Sequence, residues 1–165
     1  MSSVREERHD PAAELEALYV QRYTAFLRMA LALLGDRERA RDAVQESFAR
    51  ALRALPGFRG DVPLEAWVFT ILTNHCRDLR RAGLQFTVDR PAEAVANDHP
   101  GEHAELRAAV ATLPERQRLV LFLRHYADLD YESIGATLGI ERGTVAATLH
   151  AAHTRLRQML KETTR

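Results

Sequence analysis

Apolar residues return every third or fourth position between Leu15 and Leu34: Leu15, Leu18, Tyr19, Tyr23, Phe26, Leu27, Ala30, Leu31, Leu34. That period predicts one long amphipathic helix over residues 11–34. Gly35 stands where it must stop, Asp36 at the N-cap of the next helix, and Glu38 at that helix's positive end. The second period runs to about Leu55 and predicts burial of Ala40, Ala43, Val44, Phe48, Ala51, Leu52 and Leu55. Pro56-Gly57 breaks it. The loop Phe58-Arg59-Gly60-Asp61-Val62-Pro63 then leads into a third helix, about 63–82, which Pro63 is placed to start. Its predicted apolar stripe is Leu64, Trp67, Val68, Ile71, Leu72 and Leu79.

From Gly83 to Glu102 the helical period disappears. Pro91, Pro100 and Gly101 punctuate the segment, and Asp89, Glu93, Asp98 and Glu102 outweigh Arg90. This predicts a mildly acidic, flexible, extended linker over 84–102. Periodicity resumes with Leu106, Ala109, Val110 and Leu113. Pro114 starts a further helix that buries Leu119, Phe122, Leu123 and Tyr126. Asp130 then caps a short helix, Tyr131–Leu138, burying Ile134 and Leu138; Gly139 supplies the positive φ its end requires. A longer helix follows, with Val145, Leu149, Ala152, Leu156 and Leu160 on one side. Two helices around a glycine turn, the second longer, form either a plain αα-hairpin or a helix-turn-helix that enters a DNA groove. The fold class expected is all-α. Two small helical domains, 11–83 and 103–162, are joined by the linker, and the second contains the helix-turn-helix.

Composition narrows the classes. The chain has 165 residues, 46% of them apolar, and a mean hydropathy of −0.30, with no apolar run long enough to span a membrane. The N-terminal stretch MSSVREERHDPAAE lacks the apolar centre of a signal peptide, and the lone Cys76 makes no internal disulfide. A cytoplasmic protein without membrane insertion is expected. Lys and Arg number 23, as do Asp and Glu, so the net charge is zero. A domain that holds DNA mainly by neutralising phosphates is strongly basic. DNA binding by this chain therefore needs help from elsewhere.

The polar faces carry the candidate chemistry. Asp42, Gln45, Glu46 and Ala49 form one stripe, with Arg50 and Arg53 beyond; from the residues alone it reads as a solvated face with a Glu46–Arg50 pair. Phe58 either plugs the core or stacks on a base. The third helix presents Thr70, Asn74, Arg77, Asp78 and Arg81, with Thr73 and Arg80 beside them; this suits base edges and phosphates, or solvent. An enzyme is not expected. His75 and Cys76 point about 100° apart on a helix. His150 and His153 share a face without a third ligand at metal spacing, and no phosphate loop or nucleophile motif is present. No cofactor or metal is expected.

In order along the chain stand Asp42-Ala-Val-Gln45-Glu46-Ser-Phe48, Phe58-Arg59-Gly60, Trp67, Asn74 and Asp78-Leu79-Arg80-Arg81. After the linker come Leu113-Pro114-Glu-Arg116-Gln117-Arg118, Tyr131-Glu132-Ser-Ile134, Leu138-Gly139-Ile140, Gly143-Thr144-Val145 and Leu149-His150. Together they resemble the extracytoplasmic-function (ECF) sigma factors of the sigma-70 family, over nearly the whole chain after residue 11. The resemblance implies a non-enzymatic subunit that docks on core RNA polymerase, at its clamp helices and flap, and directs it to promoter DNA. It assigns polymerase binding to Asp42, Gln45, Glu46 and Phe48. It assigns the −10 element, including capture of a flipped base and melting, to Phe58, Arg59, Gly60, Asp61, Asn74, Arg77, Asp78, Arg80 and Arg81. It assigns the −35 element to Arg116, Arg142, Thr144, Val145, Thr148, His150 and Arg155, and it implies an anti-sigma factor as a possible regulator.

Two departures stand out. Ala146, Ala147 and Ala151 occupy positions where the family usually carries basic and hydroxylated residues, and Thr70 and Thr73 stand where many members have arginines. The alternatives are a sigma-like decoy that keeps protein contacts with weakened −35 binding, and a stand-alone helix-turn-helix regulator.

Overall fold

The computed structural model describes residues 10–83 and 104–163, so the expected linker and the boundary at 103 lie outside the described residues. Among the described residues there are seven α-helices and no strand: α1 Pro11–Leu34, α2 Arg37–Ala54, α3 Leu64–Ala82, α4 Ala104–Ala111, α5 Glu115–His125, α6 Tyr131–Leu138 and α7 Arg142–Thr163. A single 3-10 turn, Leu55–Gly57, follows α2.

Local chemistry fixes the ends. The Asp10 carboxylate accepts from the Ala12 N–H at 3.0 Å, Asp36 from Arg39 at 2.8 Å and Asp130 from Ser133 at 2.7 Å. Each satisfies an N–H that has no partner inside its helix. Gly35 and Gly139 close α1 and α6 at φ 69° and 68°. Pro63 is the N-cap of α3 rather than its first residue, and its carbonyl accepts from the Trp67 N–H at 3.0 Å.

α1, α2 and α3 pack on one another, as do α4, α5 and α6 on or beside α7. The first group is centred on Phe26, Met29, Val44, Val68, Phe69 and Leu72, all fully buried; the second on Val120, Leu123, Ile134, Val145 and Ala152. The two groups also meet. α3 lies against α6 as closely as against α2. Phe69 stacks on Phe26 of α1 at 4.1 Å and meets Phe122 of α5 edge-on at 6.4 Å. The Thr137 hydroxyl donates to the Ala66 carbonyl at 3.2 Å, and Arg22 donates to the Ala127 carbonyl at 3.0 Å while pairing with Glu65 at 2.7 Å. Arg80 pairs with Glu115 at 2.7 Å, and Arg28 lies 4.7 Å from the Tyr126 ring centre.

This contact explains where burial departs from the apolar stripes. α3 is covered on two sides, so Ala66, Phe69, Thr73, His75 and Cys76 are buried beside Leu64, Val68 and Leu72. Trp67, Ile71 and Leu79 are only half-buried. Leu52, expected in the core, is 57% exposed: α2 packs through Ala40, Ala43, Val44, Ser47, Phe48 and Ala51, and Leu52 falls outside that arc. Tyr126, also expected inside, lies past the end of α5 and is covered by Phe122 and Arg28 rather than by core.

The helix-turn-helix has one position with no room for a side chain. A Cβ on Gly135 would sit 2.6 Å from the Ile140 carbonyl oxygen, which also accepts no adjustment because it is backbone. Gly135 and Ile140 are tied there, the Ile140 N–H donating to the Gly135 carbonyl at 3.0 Å. Gly143, in the first turn of α7, has open space around it. Gly135→Ala is expected to destabilise the chain by about 1–3 kcal/mol in urea unfolding. Gly143→Ala is expected to stabilise it by roughly 0.5–1 kcal/mol through the lower entropy of the unfolded chain.

Candidate nucleic-acid and polymerase interface

The stripe on α2 is displayed. Asp42 and Gln45 are exposed and Glu46 is partly so. Glu46 Oε1 accepts from Arg50 Nε at 2.8 Å and from Arg53 Nη2 at 3.3 Å. The Arg50 hydrogen bond, with both guanidinium charges, holds the Glu46 carboxyl below its ordinary value. Such exposed pairs are weak and readily exchanged for another partner. Phe48 does not belong to this surface. It is 8% exposed and meets Tyr19 and Phe26 edge-on, each at 4.9 Å. Its helical position points inward, so it props the stripe from behind.

The loop after α2 is anchored at one end and open at its tip. Phe58 is half-buried against Trp67, ring centres 4.8 Å apart, and its N–H donates to the Leu55 carbonyl at 3.0 Å. Phe58 covers the core edge and stays partly exposed. Gly60 has φ 74°, the left-handed region, which turns the exposed tip Arg59-Gly60-Asp61. Trp67, set under the loop, links it to α3.

Along α3, Asn74, Asp78 and Arg81 are exposed and Arg77 is half-buried. Thr73 is not on this face: it is fully buried and its hydroxyl donates to the Phe69 carbonyl at 2.7 Å. Thr70 is half-buried and likewise bonds its own helix, at the Ala66 carbonyl, 2.9 Å. Neither hydroxyl is aimed outward, because each satisfies itself on the preceding turn. Arg80 is committed to Glu115 across the junction of the two helical groups. His75 and Cys76 are buried together, and burial pushes the Cys76 thiol up to about 12, which leaves no thiolate at neutral pH.

On α7, Arg142, Thr144, His150 and Arg155 are exposed, and Thr148 is half-buried with its hydroxyl donating to the Thr144 carbonyl at 2.7 Å. Val145 is fully buried and packs the helix onto the core, so it offers no surface to a partner. Ala146, Ala147 and Ala151 are exposed and give this face a smooth, small-residue surface. Arg116 is exposed on α5. Arg118 is structural: it donates to the Ala111 and Leu113 carbonyls at 2.9 and 3.1 Å, closing the end of α4. The sequence reading missed Arg124. With Asp130, Tyr131, Glu132 and Arg142 it lines a depression of about 380 Å³ at the N-termini of α6 and α7. Its guanidinium lies 5.7 Å from the Tyr131 ring centre and donates to the Leu129 carbonyl at 3.1 Å. Only the fold brings residues 124 and 142 together, so no spacing rule would have found the pair.

The Sigma-70 region 2 family matches residues 18–83, and Sigma-70 region 4 matches 103–156. The ECF RNA polymerase sigma factor EcfG of Rhodopseudomonas palustris (strain TIE-1) is 34% identical over 138 residues, covering 79% of this chain and 76% of that protein. The RNA polymerase sigma factor YlaC of Bacillus subtilis (strain 168) is 30% identical over 158 residues, covering 87% and 90%. The chain belongs to the ECF sigma factors of the sigma-70 family. The fold of this sigma factor matches CnrH, solved in complex with the cytosolic domain of CnrY, with TM-score 0.68, 25% identity and 93% and 91% coverage. It also matches the sigma factor RpoE of Bartonella quintana, solved with the anti-sigma factor NepR: TM-score 0.66 and 23% identity, over 90% and 97% of the two chains. No helix among the sigma factor's described residues is long and apolar enough to cross a membrane.

His75 sits behind the α3 face, and burial lowers its pKa from the ordinary 6.5. Below pH 6.5 the unfolded chain takes up a proton there that the folded sigma factor resists. Stability therefore rises with pH through the window between the lowered folded value and 6.5, and the His75 contribution is lost as pH falls through it. Urea midpoints of wild type are expected to drop as pH is lowered from 7 towards 5, and to drop less in His75→Gln.

Proposed function

We propose that this sigma factor docks on the clamp helices of core RNA polymerase through Asp42, Gln45 and Glu46. The loop tip Arg59-Gly60-Asp61, with the accessible side of Phe58 and the α3 face of Asn74, Arg77, Asp78 and Arg81, then reads and helps open the −10 element. The observation that carries this reading is the exposure of stripe, loop tip and α3 face on one sealed helical unit. A plain repressor has no use for the first two. In the second unit, Arg142, Thr144, Thr148, His150 and Arg155 face the −35 element, Arg116 assists from α5, and Ala146 is suited to a thymine methyl. Arg124 and Arg142 stand beside the N-terminus of α6, whose end the Asp130 carboxylate caps, and offer two cations to the DNA backbone.

Few cations face this groove, and the net charge is zero, so neither unit holds DNA strongly alone. Carrying both on one polymerase raises their effective concentration and removes that need. The packing of α3 on α6 is the form of the free chain in this reading. About twenty residues of linker reach at most roughly 60–70 Å, about two duplex turns, and both elements can be held only once the units part. The complexes of CnrH with CnrY and of RpoE with NepR support an anti-sigma factor as the regulator of this chain too.

In vitro transcription with core polymerase tests the proposal. Wild type is expected to give specific transcripts from a genomic promoter library, and Asp42→Ala/Glu46→Ala to lose at least tenfold in yield with unchanged thermal stability. Polymerase binding without transcripts would instead mark the decoy that the alanines of α7 favour. Promoter binding without polymerase would mark the stand-alone regulator.

A further inference from the structure

Two histidines outside every surface assigned so far are in contact. His125 ends α5 and His153 lies midway along α7, 28 residues away. Their Nε2 atoms are 3.1 Å apart and their ring centres 5.2 Å apart, with the planes inclined at 54°. Both rings are exposed, so solvent reaches the gap between them. The expected companion of His153 was His150, on its own helix; the fold supplies His125 instead.

Two facing imidazole nitrogens hold one proton between them: one ring donates and the other accepts. A second proton would set two donors and two positive charges nose to nose. A neutral imidazole presents one lone pair, the form in which histidine ligates metals. The pair thus offers a lone pair and an easily displaced proton at one point. Two nitrogens bound at 2.0–2.1 Å to a tetrahedral ion stand ~3.3 Å apart. The observed 3.1 Å needs only a small rotation of each ring for both lone pairs to converge.

We propose that His125 and His153 form a two-histidine site for a borderline divalent transition ion of the zinc, nickel and copper class, closed by solvent. Imidazole donors select that class over calcium and magnesium. Among the described residues no third histidine, cysteine or carboxylate completes the cluster, so water fills the remaining positions and the ion exchanges rather than being locked in. On binding, the proton between the rings moves through solvent to Nδ1 of its own ring, so each neutral imidazole presents an Nε2 lone pair and no net proton is released. Its mechanical effect follows from position: the ion ties the last turn of α5 to the middle of α7, three residues after His150 on the recognition face. Occupancy therefore braces the helix that faces DNA without touching the DNA itself.

Zinc titration of the full chain at neutral pH, by calorimetry and thermal unfolding, tests the site. Wild type is expected to bind one zinc ion more tightly than any further ones, and its unfolding midpoint to rise by roughly 4 °C at a tenfold excess over Kd. His125→Gln and His153→Gln are each expected to weaken that binding at least tenfold and to abolish the shift, while His150→Gln leaves both unchanged. Melts of the metal-free variants, matching wild type, show that lost binding is not lost folding; if one variant melts early, His125→Asn or His153→Asn replaces it. Retention of the site in the His125/His153 double variant would overturn the proposal, since the remaining histidines would then be the ligands. So would its loss in His150→Gln, which would return the site to a single helix face, or the absence of zinc binding in wild type.

Discussion

Everything in this chain is arranged around Phe69. It is fully buried, stacked on Phe26 and touched edge-on by Phe122, so one ring belongs to the core of the first helical unit and to its junction with the second. Aromatic contacts of this kind are worth about 0.5–1.5 kcal/mol each beyond the area they bury. Because α3 carries Phe69, it must be apolar on two sides. That leaves it a single strip for polar chemistry, where Asn74, Asp78 and Arg81 stand. The narrowness of the strip is a packing consequence: Thr73 and His75, which flank Asn74 in sequence, are inside.

The same division recurs on the other functional helices. α2 buries Ala43, Val44, Ser47, Phe48 and Ala51, and the complementary arc is Asp42, Gln45 and Glu46. α7 buries Val145, Leu149, Ala152 and Leu156 and presents Arg142, Ala146, His150 and Ala151. In each case the residue beside the working surface, Phe48 or Val145, holds the helix at its height. Replacing such a residue would disturb function through position. Glu46 differs from its neighbours in being already paired, to Arg50 and Arg53, so the proposed docking would have to offer it a better cation or leave the pairs intact.

Most of the fold could be read in advance because its punctuation is local. Asp36, Asp130, Gly35 and Gly139 act within four residues of themselves, and the helices they bound fell where periodicity put them. What could not be read depends on partners far along the chain. Phe69 lies beside the predicted stripe of α3 rather than on it, and the second of its ring partners is 53 residues on. Leu52 and Tyr126 continued apolar stripes that the packed neighbours do not reach. The site residues followed the same rule. The exposed members of the family motifs lay on predicted polar faces, and Phe48 and Val145, which the apolar period already placed on buried stripes, are in the core although the resemblance gave them binding roles. The Arg124–Arg142 mouth and the His125–His153 contact join different helices, so no single-helix spacing contains them.

The polar contacts across the junction between the units are individually modest. Its polar members are the Thr137 and Arg22 hydrogen bonds, each worth about 1 kcal/mol net, and the half-exposed Arg80–Glu115 pair, worth less in water. None is a buried charge whose separation would strand an unsolvated ion. Parting them exposes Phe69 on one side only, because Phe26 stays with it, and returns Arg80 to the face it shares with Arg77 and Arg81. The arginine that holds the junction closed thus becomes available to phosphate when the junction opens. A nanomolar partner supplies about 12 kcal/mol, well above any one of these contacts. Under the proposed function, docking at α2 leaves these contacts untouched, so parting the units calls for a partner that also binds the second unit at a distance, as a two-site scaffold would.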